Sequence, residues 1–272
     1  MANPFVAVVT GASSGIGQAI AIEFARRDAN LILTCRQNLS GLSETVSQIR
    51  SLPKLPMDLL GVVSNINDLI ANRGLVNAAF DRHGYVDVWV HAAGADVLTG
   101  KARELSFSEK LAKLWATDVH GTFVLSRMVA KKMLAQPKNG DRLPSIVHIG
   151  WDQAEQGMEG DSGQYFSAIK AAIAAFSKSL AKSVAPHIRV NCIAPGWVQT
   201  EWGQSASAAW QQRATRESML GRWGKSQDIA RVVAAVSFGD GAFINGQTIA
   251  VNGGWQGMPH AAQNPSPPAP LL

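Results

Sequence analysis

The stretch Thr10-Gly11-Ala12-Ser13-Ser14-Gly15-Ile16-Gly17 constrains the fold more than any other part of the chain. The apolar run before it, residues 5–9, reads as a buried parallel strand that Thr10-Gly11 ends. After it, Ile16, Ile20, Phe24 and Ala25 recur at helical spacing over 16–27. Between strand and helix lies a turn with glycine at 11, 15 and 17. Glycines permit a tight turn and let backbone N–H groups approach an anion, and a helix N-terminus favours negative charge. In this strand–turn–helix setting, Gly11, Ser13, Ser14, Gly15, Ile16 and Gly17 read as a pyrophosphate cradle.

The pattern continues along the chain. Further strands are expected at 31–35, 59–64, 86–90, 145–149, 189–193 and 248–251. Helices are expected at about 41–51, 68–83, 163–184 and 226–238, with a long periodic segment over 107–135. This alternation predicts one doubly wound α/β domain, a mostly parallel sheet with helices on both faces, over residues 1–257. Residues 258–272, rich in Pro, Ala and Ser, read as a loose tail.

Composition narrows the function. No segment approaches the roughly 20 uninterrupted apolar residues of a membrane span. Met1-Ala2-Asn3-Pro4 leads into the first strand without the basic start of a signal peptide. Cys35 and Cys192 each lie in an apolar run, as expected of buried thiols in a reducing, cytoplasmic setting. The net charge of +5 is spread without a run of four basic residues, which argues against a nucleic-acid partner. A small phosphate-bearing cofactor uses a few such charges, and no metal-ligand set is assigned.

The motif T-G-x-x-x-G-I-G resembles that of the short-chain dehydrogenase/reductase family, and other segments extend the resemblance over about 5–256. Asn191-Cys192-Ile193-Ala194-Pro195-Gly196-Trp197-Val198-Gln199-Thr200 is similar to the family's N-x-x-x-P-G-x-V-x-T. Asn245-Gly246-Gln247-Thr248 through Gly254 is similar to its closing strand and turn, and Phe176 through Ala181 to the helix after its catalytic lysine. The resemblance implies a Rossmann-type fold, a nicotinamide cofactor, a small-molecule substrate and a homodimer or homotetramer. It places Pro195, Gly196, Val198 and Thr200 beside the nicotinamide and Asn65-Ile66 at the adenine. His91-Ala92-Ala93-Gly94 stands where the family has N-N-A-G, so Ala92, Ala93 and Gly94 join the cofactor wall and both asparagines are missing. The second strand ends Cys35-Arg36-Gln37, and no acid follows until Glu44. An acid there bonds the ribose 2′-hydroxyl, whereas Arg accommodates a 2′-phosphate bidentately, so Arg36 points to NADP(H).

The catalytic residues implied by the family depart from its pattern. Its chemistry uses a Tyr as proton donor, a Lys four residues later that lowers the Tyr pKa and holds the nicotinamide ribose, a Ser and an Asn, so Lys170 is expected to bind cofactor as well as to act in catalysis. Here the stretch is Gly163-Gln164-Tyr165-Phe166-Ser167-Ala168-Ile169-Lys170. Four residues turn a helix by about 400°, nearly one face, whereas five turn it by about 500°, roughly 140° away. Aligned on Lys170, the Tyr position is Phe166, and Tyr165 points away unless the helix starts later or bulges. The Asn position is Asp118, expected to pair with Lys170. The Ser position falls on Trp151 counted from the strand, or on Gln153 counted back from Phe166. A second register sets Asp152 13 residues before Tyr165, the usual Ser-to-Tyr interval. Pteridine reductases resemble this in having Asp there, but keep the Tyr and carry Arg in the glycine loop, where this chain has Gly15.

Asp152, its pKa raised by burial beside Trp151, is therefore the first candidate donor and Tyr165 the second. Three functions stay open. One is an NADP(H)-dependent reductase of atypical mechanism acting on a small C=O or C=N compound, a ring being one option. The second is an NADP(H)-binding scaffold or sensor without turnover, and the third an ordinary carbonyl reductase with Tyr165 brought in by a bulge. Trp197, Trp202, Trp210 and Trp223 fall in the family's substrate lid, suited to a flat ring or to packing on a partner or the core. Glu155, Glu159 and Asp161 read as solvated loop charge.

Overall fold

The computed structural model describes residues 4–54 and 58–255; the tail expected over 258–272 lies outside them. Its centre is a seven-stranded sheet: β1 (Val6–Thr10), β2 (Asn30–Cys35), β3 (Leu59–Val63), β4 (Val88–His91), β5 (Ser145–Ile149), β6 (Arg189–Pro195) and β7 (Thr248–Val251). The order is β3-β2-β1-β4-β5-β6-β7, and every pairing is parallel. The continuous apolar run of β1 follows from this placement, because both of its faces are covered. Ala7 and Val9 join one core layer with Ile20, Phe24 and Val233; Val6 and Val8 join the other with Leu125, Val129 and Leu180.

The first layer lies under α1 (Gly15–Arg26), α2 (Leu39–Arg50) and α9 (Ser226–Ser237). The second lies under α3 (Leu69–His83), α5 (Thr122–Ala135) and α6 (Gly160–Val184). The chain winds one way from β1 to β3 and the other way from β4 onward. A doubly wound sheet opens a crevice at that reversal, outside the carboxyl ends of the strands.

Two departures from the expected elements matter for the site. The segment over 107–135 is α4 (Phe107–Leu114), a π-helical turn at Trp115–Gly121, then α5. The wider turn shifts the helical register and buries Thr117, Asp118 and Val119. Gly121 lets it close on the chain, since a Cβ there would meet Ile66 O at 2.7 Å. Beyond β6, α7 (Glu201–Ser205) and α8 (Ala208–Glu217) stand where no helix is expected. They are short and polar, and Ser207 caps α8 by accepting from Trp210 N.

Candidate active site

At the carboxyl ends of β1, β2, β4 and β5 lies a cleft of about 570 Å³. The glycine-rich turn forms its floor. A Cβ on Gly17 would stand 2.1 Å from Gly11 O, and one on Gly11 2.7 Å from Ala93 Cα, so the turn packs main chain against main chain. Gly11, Ser13, Ser14, Gly15, Ile16 and Gly17 all line the cleft, as do Asn65, Ile66, Ala92, Ala93, Gly94 and Thr200. Arg36 lies exposed at the end of β2 on the same wall, with no ion pair among the described residues. Asn38 ties this wall together: its Oδ1 accepts from Gly41 N at 3.0 Å, and its Nδ2 donates to Ser13 O at 3.4 Å.

Sequence reasoning missed several lining residues: Gln37, Asn38, and the loop from Asp96 to Thr99. Asp96 Oδ1 accepts from Leu98 N and Thr99 N at 2.9 and 3.0 Å, folding the loop back on itself. An Asp that caps its own loop is a legible signal for a turn. Nothing in the sequence says that the turn faces a cleft.

The other end of the cleft is built on α6. Phe166 lines it, beside Ile149, Thr200, Glu201 and Trp202. Tyr165 does not. It is 2% exposed, packed among Val97, Leu114, Val119 and Ile169, and its hydroxyl meets Ser162 Oγ at 3.0 Å. Burial also pushes the phenol above its usual range. The late helix start or bulge that would bring Tyr165 round is replaced by a helix that begins early, at Gly160. Five residues of regular helix therefore separate Tyr165 from Lys170 in angle as well as in sequence.

Lys170 Nζ donates to Asp118 Oδ2 at 2.9 Å and more weakly to Ile149 O at 3.5 Å. Asp118 is 3% exposed, and its second oxygen accepts from Ala95 N at 2.8 Å. The π turn and the loop after β4 thus converge on one carboxylate.

Asp152 stands apart from this pair, beyond the walls of the main cleft. Its backbone N donates to Pro195 O, and its Oδ2 accepts from Asn252 Nδ2 at 2.9 Å. Its Oδ1 is buried without a hydrogen-bond partner. Burial, only partly offset by the bond from Asn252, raises its pKa to about 6. Gly196 lies against it, where a Cβ would be 3.1 Å from Oδ2 and 2.5 Å from Asn252 Cβ. The rings of Trp151 and Phe166 meet edge to face at 6.4 Å, linking the Asp152 loop to α6. Pro195 and Gly196 sit against Asp152, and with Val198 they lie outside the cleft wall.

The four tryptophans pack chiefly on one another. Trp197 lies 5.4 Å from Trp210, 6.2 Å from Trp202 and 6.0 Å from Trp223. Trp197 Nε1 donates to Glu217 at 2.8 Å, and Arg213 covers Trp210 while pairing with Glu159 and Glu217. Glu159 is thus an ion-pair partner as well as a loop charge. Only Trp202 of the four reaches the cleft.

Residues 11–256 match the family model described as enoyl-(acyl carrier protein) reductase. The 3-oxoacyl-(acyl carrier protein) reductase FabG of Escherichia coli K12 is 32% identical over 253 residues, covering 92% of this chain and 96% of that protein. A short-chain dehydrogenase/reductase from Serratia marcescens superposes with a TM-score of 0.79 at 28% identity, covering 92% of this chain and 97% of the other. A short-chain dehydrogenase from Burkholderia cenocepacia in complex with NADP gives 0.78 at 26% identity, covering 91% and 96%. Likeness of this extent favours an enzyme over a scaffold without turnover. No helix among the described residues is long and apolar enough to cross a membrane. The agreement of sheet order, glycine turn and sequence over nearly the whole length makes the chain a member of the short-chain dehydrogenase/reductase family, and an oxidoreductase of that type.

Proposed function

We propose that the protein is an NADP(H)-dependent reductase of a small C=O or C=N compound, with Asp152 as proton donor in place of the missing phenol. The carrying observation is a buried carboxyl with one unpartnered oxygen and a pKa of about 6, beside the segment that flanks the nicotinamide in the family. The close-packed glycine turn fits a pyrophosphate, and the unpaired guanidinium of Arg36 on the same wall fits a 2′-phosphate. When bound, NADPH supplies a hydride to the electrophilic carbon. The chain must then deliver a proton to the oxygen or nitrogen that gains charge.

Asp152 is half-buried, and Gly196 places no side chain against its carboxylate. Asn252 fixes Oδ2 as an acceptor, which leaves Oδ1 to carry and release the proton. Lys170, held by Asp118, keeps its ammonium beside the cleft. Phe166 and Trp202 give the substrate end apolar, flat walls, so a ring-shaped substrate suits it. The relatives' named activities are mostly carbonyl reductions, which puts C=O ahead of C=N.

The test is NADPH oxidation across a panel of cyclic ketones, cyclic imines and 3-oxoacyl thioesters, with Asp152→Asn and Tyr165→Phe alongside wild type. Loss of one general acid should lower turnover by about 10²–10⁴-fold in Asp152→Asn, while Tyr165→Phe stays near wild type. Only the protonated carboxyl can donate, so the wild-type rate should fall as pH rises through about 6. If Tyr165→Phe abolishes turnover and Asp152→Asn spares it, the assignment of the donor is wrong.

A further inference from the structure

One guanidinium joins the segment after β6 to the active-site helix. Arg213, on α8, donates from Nε to Glu217 Oε1 at 2.7 Å. Its two terminal nitrogens donate to the two oxygens of Glu159, the Nη2 bond being 3.2 Å long. A planar fork held between two carboxylates is fixed in direction as well as in distance. The two arms differ in setting. Glu217 is buried, and its other oxygen accepts from Trp197 Nε1 at 2.8 Å. Glu159 stands at the N-cap of α6, with 60% of its side chain exposed. The first arm stays within the segment after β6, whereas the second crosses to the helix that carries Phe166 and Lys170.

Aromatic rings lie under the guanidinium. Arg213 Cζ is 5.0 Å from the centre of the Trp210 ring and 5.9 Å from that of Trp197. Both rings meet Trp202, at 6.0 and 6.2 Å, and the planes of Trp197 and Trp202 lie within 25° of each other. Gln211, two residues before Arg213, donates from Nε2 to Gly203 O at 2.6 Å and so ties α8 to α7. Gly203 leaves no room for adjustment there, since a Cβ on it would stand 2.9 Å from the Trp223 ring. The place of Trp202 is thus set by residues that Arg213 covers or adjoins. Trp202 and Phe166 both line the cleft, and Phe166 lies about two helical turns beyond Glu159.

We propose that Arg213 is a positioning residue of the substrate end, and that its bond to Glu159 is a latch holding α7 and α8 on α6. With the latch made, Trp202 and Phe166 stand as two walls of one cleft. With it broken, α8 keeps Glu217 and the tryptophans but loses this tie to α6, and Trp202 moves with it. Salt screens the exposed arm and spares the buried one. Substrate binding is therefore sensitive to ionic strength even for an uncharged ring compound. The bearing on substrate rests on the function proposed above; the latch itself does not.

Glu159→Gln tests this, because it breaks the exposed arm and leaves the buried one in place. Peptides over 201–217 should exchange their amide hydrogens about two- to fivefold faster in Glu159→Gln than in wild type, the range for an exposed ion pair. Peptides from β1 and β4 should not change. Raising NaCl from about 0.05 M to about 0.5 M should speed the same 201–217 peptides in wild type and leave the variant unmoved. At saturating NADPH, KM for a cyclic ketone selected by the panel above should rise by the same factor, the change falling on KM rather than on kcat. Arg213→Ala also strands buried Glu217 and should exceed both effects. Equal exchange in wild type and Glu159→Gln overturns the latch. Faster exchange with an unchanged KM overturns the positioning role. If no compound of the panel is reduced, the proposed function fails and the exchange rates alone decide for or against the latch.

Discussion

Around Gly11 and Gly17 the cleft wall is main chain packed on main chain, whereas Lys170 and Asp152, outside that wall, are each held by a side-chain partner. The first region requires the absence of a side chain, at Gly17 against the nearby Gly11 and at Gly11 against Ala93 on the next strand's loop, and its glycines lie together in one short motif. The second depends on partners 52 and 100 residues apart, joined only by the fold. A motif therefore identifies the first region, while the second takes its chemistry from neighbours that no local pattern records. The difference also bears on tolerance. A glycine wall has no substitute residue, whereas a side-chain pair such as Lys170 and Asp118 can be replaced by another hydrogen-bonding pair.

The largest expected effect falls on the glycine wall. Gly17→Ala forces a Cβ to within 2.1 Å of a carbonyl oxygen, so it should unfold the turn or cost several kcal/mol in a denaturant melt. Gly15→Ala meets only Thr200 Cγ2 at 3.6 Å and carries the strain of its φ of +55°, a penalty of about 1–2 kcal/mol. Equal effects at the two positions would break the contrast drawn here.

Next in size is Lys170→Ala. It strands the buried Asp118 carboxylate, and breaking a buried pair costs about 3–5 kcal/mol. Asp118→Asn keeps a hydrogen-bonding group of the same shape and should cost much less by the same melt.

Asp152 comes third. Its carboxyl binds a proton more tightly folded, at about 6, than unfolded, at 3.8. The folded state is thus favoured while the group is protonated, and that stability is lost as pH rises from about 4 to about 6. The difference between the two states corresponds to about 3 kcal/mol at most. Asp152→Asn should remove this pH dependence and raise the melting temperature at pH 8 more than at pH 4. The smallest effect is expected for Tyr165→Phe, which loses one partly buried hydrogen bond worth about 1 kcal/mol.

Much of the architecture was legible from periodicity, because β1, β2 and β6 are buried on both faces and α1 and α9 each show one apolar face. Helices α7 and α8 were not, since their residues are polar and their order comes from the Trp197–Arg213 packing. The π turn was also hidden: the sequence 107–135 keeps helical spacing, and only burial of Asp118 and the approach of Gly121 to Ile66 select the wider turn. At the site, helix angle alone separated Phe166 from Tyr165. The bond from Asn252 to Asp152 and the His91–His148 stack lay beyond reach, because they join residues from different strands.

The measurement that bears most directly on the cofactor cleft is a calorimetric titration of the wild-type protein and Arg36→Asp with NADPH and NADH. A cleft built around a 2′-phosphate should bind NADPH at least about tenfold more tightly than NADH, a difference of about 1.4 kcal/mol. Arg36→Asp should erase or reverse that preference. Equal binding of the two cofactors by the wild-type protein, or an unchanged preference in Arg36→Asp, would contradict the reading of this wall.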